Sequence, residues 1–202
     1  LFYQTRQRDK TLLPHDPFKA IVAPRPIGWI STRAKDGRVN LAPYSFFNGL
    51  CSAPPIVGFS SEGAKDSAAF AAESGEFVAN LATLDLAEPM NLTSAPLPRG
   101  DNEFLHAGLT MAPSRLVGAP RVAEAHAALE CKVTEVVEIK NVKGETLDRY
   151  LVLGEVVGVH IDDRFIKDGR FDTAGARPIA RCGYQDYAVV EKLFSMVRPG
   201  GG

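Results

Sequence analysis

The chain of 202 residues predicts a mainly β, α+β fold, an antiparallel, Greek-key-like barrel with short peripheral helices. Three observations carry that prediction. Residues 129–139 alternate apolar and polar side chains over an unusually long run, the period of two that marks a half-buried strand. Residues 151–161 form a second long apolar run, punctuated by Gly154 and Gly158 as expected where a strand bends around a barrel corner. The helical segments are short and no G-x-G-x-x-G is present, which argues against a doubly wound sheet holding a dinucleotide.

Each element follows from local chemistry. Residues 27–32 read as a strand, Lys35-Asp36-Gly37 as a turn and residues 39–44 as the returning strand of an antiparallel hairpin, which excludes an opening βαβ unit. After the Pro54-Pro55 break, residues 56–59 make a short apolar strand. A small helix over 67–73, stopped by Ser74-Gly75, leads into a strand over 77–81. Asp85 is placed to cap a helix over 86–91, with Pro89 confining it to a first turn. Residues 95–120, rich in Pro, Gly and polar side chains, read as a long excursion with one short helix around Glu103, the kind of loop more often functional than idle. Gly144 sits in the turn between the two long strands, residues 165–175 are a polar connection, and residues 179–187 close the core. The chain therefore divides into an N-terminal extension over 1–20, one domain over 21–190 and a C-terminal tail over 191–202 that ends glycine-rich from Pro199.

Composition narrows the function. A hydrophobic fraction of 45% and a charged fraction of 23% are those of an ordinary globular protein. A formal net charge of -1 with scattered arginines argues against nucleic acid as a partner. No apolar run approaches the roughly 20 residues that span a bilayer, and no basic region precedes an apolar signal segment, which points to a cytoplasmic protein away from membranes. Cys51, Cys131 and Cys182 are far apart with no CxxC pair, so they read as reduced thiols rather than as bridges or zinc ligands. Glu103 and His106 make a single E-x-x-H, half of what a di-iron site needs, in a loop punctuated by Pro98, Gly100 and Asp101; no metal is expected.

The segment richest in ligand chemistry runs from Gly58 to Ser67. The hydroxyls of Ser60, Ser61 and Ser67, a flexible Gly63, the Lys65 cation and the backbone N–H groups that open the following helix could converge on one phosphate. Gly58 and Gly63 have the spacing that opens a nucleotide P-loop, but Ala64 and Asp66 stand where that loop needs Lys and Ser or Thr. The plain alternative is a polar strand-to-helix turn with Asp66 or Ser67 as N-cap.

Taken together, the motifs resemble the flavin reductase-like family of FMN-binding split-barrel proteins. The resemblance covers roughly residues 24–188: Arg25 to Gly28, the run from Asp36 through Asn40-Leu41-Ala42-Pro43-Tyr44-Ser45-Phe46-Phe47-Asn48, then Pro54-Pro55, Lys65-Asp66-Ser67, Gly75-Glu76-Phe77, Met90 to Ala95, Ala128 to Cys131, and Gly154-Glu155-Val156. It implies a homodimer with each FMN in a groove at the subunit interface, FAD being the larger alternative. Ser45, Phe46, Phe47 and Asn48 are then expected along the isoalloxazine edge, and Ser60, Ser61, Lys65 and Ser67 around the phosphate. Asn91 and Thr93 belong to a segment that resembles the family's interface, or simply cap a helix. Arg25 either meets the flavin phosphate or pairs with a carboxylate, Phe46 and Phe47 either wall the flavin or pack in the core, and Trp29 either stacks on flavin or packs within its strand.

The resemblance implies an oxidoreductase, an NAD(P)H-dependent flavin reductase or a relative acting by hydride transfer through FMN on a small-molecule acceptor, with a partner oxygenase as one outlet for the reduced flavin. The alternative is an FMN carrier or sensor without reductase activity. One departure favours that alternative: where reductases of the family carry Gly-Asp-His, which helps to place NADH or NADPH, this chain has Leu147-Asp148-Arg149. His160 reads as a rim residue and His126 as its equivalent before the long strand, so no catalytic acid or base is assigned.

Overall fold

The computed structural model describes residues 1–98 and 101–200. Gly100 of the loop signal and the last two glycines of the tail lie outside the described residues. In chain order, α1 (Phe18–Ile21) and β1 (Arg25–Pro26) lead to β2 (Gly28–Arg33), β3 (Val39–Tyr44), β4 (Phe47–Ser52) and β5 (Pro55–Glu62). Then come α2 (Asp66–Ser74), β6 (Glu76–Leu81), α3 (Ala87–Leu92), α4 (Glu103–His106), β7 (Met111–Ala112) and β8 (Arg121–Val122). The two longest strands, β9 (Ala127–Lys140) and β10 (Thr146–Ile161), precede β11 (Ile166–Lys167), β12 (Arg170–Phe171), α5 (Thr173–Ala176), β13 (Ile179–Gly183) and β14 (Asp186–Val189).

Seven strands form one antiparallel sheet in the order β3-β2-β6-β9-β10-β5-β4. Its two outermost strands, β3 and β4, are joined in sequence by only Ser45 and Phe46. Two residues span less than about 10 Å, so the sheet must roll until its edges meet. Ser60 N donates to Phe46 O at 2.8 Å, which extends the β4–β5 ladder into the two-residue link. Alternate residues fill the interior: Ile30, Val57, Phe59, Phe77, Ala79, Cys131 and Val152 pack together, and Ala68 and Ala71 of α2 pack against them. The opposite face of β2 and β3 carries Trp29, Val39 and Leu41, covered by Met90 of α3 and Phe104 of α4. β2 is thus buried on both faces.

The long strands bend where the glycines are. The β9–β10 pairing shifts register between Leu153 and Gly154 and again between Val156 and Gly158, the irregularity that curls a sheet. At Gly154 the reason is steric, since a Cβ there would lie 2.4 Å from the Phe77 ring. Gly154→Ala is therefore expected to destabilise the fold by about 1–3 kcal/mol through overpacking, although alanine normally improves on a strand glycine. Urea unfolding checks this, and Phe77→Leu in the same chain should recover part of the loss; a neutral Gly154→Ala would remove the steric account.

Several expectations need correction. β4 is absent from the sequence reading because Asn48-Gly49 has low strand propensity; the strand forms as an edge partner of β5. β5 continues through Ser60, Ser61 and Glu62, so only residues 63–65 remain as loop before α2. The N-cap position of α2 is Lys65, not Asp66 or Ser67. Asp85 lies inside a 3-10 turn, Leu84–Leu86, and its carboxylate accepts from Thr83 Oγ1 rather than capping α3. The connection over 165–175 holds the β11–β12 pair and the start of α5, and the last core strand is a hairpin of β13 and β14.

Candidate functional site

Two grooves meet the chain on either side of the Tyr44-Ser45 link at the seam. The first, of about 380 Å³, is lined by Asn40, Ala42 to Tyr44, Lys65 to Ser67, residues 93–97 and Glu103. The second, of about 470 Å³, is lined by residues 21–26, Ser45 to Asn48, Leu50, Gly58, Ser60 and Leu151. The expected ligand residues divide between them: Lys65, Ser67 and Thr93 in the first; Arg25, Ser45, Phe46, Phe47, Asn48 and Ser60 in the second. Ser61 and Asn91 line neither groove.

The pleat explains the fate of the serines. Neighbouring strand residues point to opposite faces, so Ser60 opens into the second groove while Ser61 is fully buried and donates to Gly63 O at 2.9 Å. Ser67 is also buried, and its hydroxyl donates to Asn40 Oδ1. Asn40 in turn donates to Glu103 Oε1 at 2.7 Å, and Glu103 Oε2 accepts from Leu41 N at 3.1 Å. The Tyr44 hydroxyl completes the chain by hydrogen bonding to Ser67 and Ser61, and burial pushes its pKa up. Burial likewise raises Glu103, with the bonds from Leu41 and Asn40 only partly offsetting it. These groups build the floor of the first groove.

Above that floor, the start of α2 faces the groove without a side-chain cap. Its first intrahelical acceptor, Lys65 O, is taken by Ala69 N at 2.9 Å, so the N–H groups of Ser67 and Ala68 precede the first bond of the helix ladder. Lys65 is exposed, with no ion pair among the described residues. A cation beside backbone donors and a helix N-terminus is a donor set that fits a phosphate. Asp66 lines the same wall, so those donors act against one carboxylate. Gly58 lies within β5, and this extended backbone cannot wrap a nucleotide phosphate as a P-loop does.

Thr93 is buried, accepts from Trp29 Nε1 at 2.9 Å and donates to Met90 O at 2.7 Å. Trp29 is therefore core beneath the groove, not an exposed stacking platform. Asn91 is exposed on α3, and its carbonyl accepts from Ser94 N at 3.0 Å, the role of a helix C-terminus. In the second groove, Asn48 Oδ1 accepts from Gly49 N at 2.9 Å, and Phe47 packs over Gly28. Arg25 is buried, and its guanidinium donates through Nη1 to Lys19 O and Val22 O.

Both histidines singled out in the sequence pair with carboxylates. His160 Nε2 meets Glu130 Oε1, and His126 Nε2 meets Asp85 Oδ2 at 2.9 Å while its ring stacks on Phe165 at 4.0 Å. Glu130 is fully buried and also accepts from the backbone of Arg115, Leu116 and Val117 at 2.8, 2.6 and 3.1 Å. Burial pushes its pKa up, but the His160 and backbone bonds outweigh it, and the net shift is downward. Next to it, burial and then the Glu130 charge push the Cys131 thiol up to about 12. Asn40, Tyr44 and Glu103 are the site-building residues that sequence reading left unassigned. The signal was only that a glutamate in the 95–120 loop begins a helix whose Phe104 is buried.

The family model described as a flavin reductase like domain matches residues 22–175. An uncharacterised protein of Halalkalibacterium halodurans is 39% identical over 183 residues, covering 88% of this chain and 87% of its own length. Nitrilotriacetate monooxygenase component B from Bacillus cereus superposes with a TM-score of 0.88 at 27% identity, covering 97% of this chain and 98% of that one. The flavoredoxin of Desulfovibrio vulgaris (Miyazaki F) has the same fold, with a TM-score of 0.78 at 22% identity over 90% of this chain and 94% of its own. The rolled sheet with its unladdered seam is a split barrel, and the chain belongs to the flavin reductase-like family.

Proposed function

We propose that this chain binds FMN with the phosphate against Lys65 and the start of α2, and works as an NAD(P)H-dependent flavin reductase or a related oxidoreductase. The observation that carries the reading is the uncapped α2 terminus beside Lys65, opening into a groove of about 380 Å³. Bound flavin supplies the redox chemistry, passing a hydride equivalent from a reduced nicotinamide to a small acceptor. The chain supplies binding and orientation. Lys65 offers a point charge for the phosphate, the backbone donors of α2 fix its position, and the hydrogen-bonded line from Tyr44 to Glu103 keeps the floor from shifting. The same reading runs Ser45 to Asn48, which line the second groove, beside the ring.

A carrier or sensor is the second reading, and residues 147–149 favour it. Arg149 occupies the position of the family's histidine, where it donates to Asp148 O at 2.6 Å and lies 3.9 Å from Glu62. Anaerobic mixing of the FMN-loaded protein with NADH and with NADPH separates the two. Saturable bleaching of the flavin bands supports the reductase; bleaching by dithionite but by neither nucleotide leaves the carrier. A homodimer with flavin at the interface is part of the proposal, supported by the position of β4 as an edge strand with Leu50 56% exposed. A flavin-loaded monomer in sedimentation would remove it. A partner oxygenase and a cytoplasmic setting accompany the reading, and among the described residues no helix is long and apolar enough to cross a membrane.

A further inference from the structure

We infer that residues 192–197 form an arm that crosses to a second copy of this chain and packs its apolar side chains into an apolar groove beside β13. The inference rests on the proposed homodimer for its partner, and not on flavin binding. The root of the arm is fixed to its own body. Val190 N donates to Pro178 O at 2.9 Å, and the Arg177 guanidinium pairs with the Glu191 carboxylate at 2.5 Å. Beyond that root, residues 192–198 make no hydrogen bond or ion pair among the described residues, yet Leu193, Phe194, Met196 and Val197 are 65%, 86%, 83% and 91% exposed. Flexible tails stay in water because they are polar. Leu193, Phe194, Met196 and Val197, set close together around Ser195, carry the opposite signature, that of a segment which binds a surface. In an extended chain Phe194 and Met196 face one way and Leu193 and Val197 the other, the pattern of a segment covered on both sides.

The groove has a volume of about 280 Å³, and Ile27, Leu129, Val159, Ile161, Phe171 and Ile179 supply most of its wall. Among the described residues no charged side chain lines it. Its polar side chain, Asn80, is already committed: Nδ2 donates to Trp29 O and Ser31 Oγ at 3.0 and 3.2 Å, and Oδ1 accepts from Val122 N at 2.9 Å. The groove shares Pro26 and Phe47 with the second groove but has none of the hydroxyls, the Asn48 amide or the Arg25 guanidinium found there. A flavin or a nucleotide would leave polar atoms unpaired against such a wall, whereas a hydrocarbon side chain gains by leaving water. Val159, 61% exposed, marks the open rim. The arm departs from this same rim, since Pro178 and Ile179 line the groove, but none of residues 191–198 lies in it. Glu191 and Lys192 offer no glycine or proline turn to fold Leu193 back onto its own groove, and Pro199 and Gly200 come only after the apolar side chains. A twofold axis beside the rim resolves both exposures at once, because each arm then covers the groove of the other copy.

Sedimentation of the full chain over a concentration series, with FMN added, tests the arm. The unmodified protein is expected to be a dimer, and Phe194→Glu together with Met196→Glu should raise its dissociation constant at least tenfold. Val159→Glu, on the groove side, should do the same. All three side chains are exposed in the single chain, so the variants are expected to keep the far-ultraviolet circular dichroism of the unmodified protein. Mixing the arm variant with the groove variant should give a heterodimer tighter than either variant alone, since one intact arm then meets one intact groove. An arm folded onto its own groove gives no such recovery, and that result would overturn the exchange. An effect of the arm variant without one from Val159→Glu would overturn the groove as its seat. A dimer indifferent to the arm substitutions would overturn the inference and leave the homodimer, whereas a monomer at every concentration would remove both. A chain that dimerises through the arm but retains no FMN would instead remove the flavin reading and leave the arm standing.

Discussion

Replacing Lys65 by alanine should weaken FMN binding by roughly tenfold to a hundredfold while changing riboflavin affinity less than about twofold. The estimate follows from a hydrogen bond to a charged group being worth about 1.5–3 kcal/mol. Only FMN carries the phosphate, so the ratio of the two losses isolates the cradle from general damage. Lys65 is exposed and contributes nothing to the packed interior, which makes misfolding a poor explanation for a selective loss. Flavin fluorescence titration gives both constants. Because the site opens to solvent, the FMN advantage over riboflavin should also shrink as salt rises from low to high concentration. Equal losses for the two flavins would take Lys65 out of the cradle, and with it the observation on which the proposed function rests.

Glu130→Ala should be among the most destabilising substitutions in the chain, by about 3–5 kcal/mol. It removes the buried carboxylate that holds the N–H groups of Arg115, Leu116 and buried Val117 and the ring nitrogen of partly buried His160. For a domain of this size that corresponds to a fall in melting temperature of about 6–20 °C. Glu130→Gln keeps one carbonyl oxygen and should lose less. The pH dependence has a definite sign. A carboxylate whose folded pKa is depressed contributes stability that is present above its unfolded value, about 4.3, and is lost as pH falls through the lower folded value. The Gln variant should therefore lose less stability than the unmodified protein between pH 5 and the acid transition. Thermal melts across that window decide it, and parallel acid limbs would mean that Glu130 is not the ionised anchor of the 115–117 loop.

How much of this was legible beforehand depends on the range of the interaction. The β2–β3 hairpin, the α2 stop at Gly75 and the bends at Gly154 and Gly158 follow from neighbours in the chain, and the structure has each of them. β4 was not legible because Asn48-Gly49 gives no strand signal of its own; pairing with β5 creates it. The motifs that marked the family are ordered along the sequence, so the split barrel was legible even where single elements were not.

The candidate site divides along the same line. Sequence by itself determined which donors lie near one another along the chain: Ser60, Ser61, Lys65, Ser67 and the turn at Gly63. Tertiary structure decided which way each one faces. A strand that runs on through residues 60–62 sends Ser60 and Ser61 to opposite faces, and helix α2 buries Ser67 while leaving Lys65 at the rim. It also decided the long-range partners, such as Asn40 with Glu103, Glu130 with residues 115–117, and Trp29 with Thr93. Local backbone preferences are written in adjacent residues, whereas the face a side chain presents depends on strand register and on burial against segments tens of residues away.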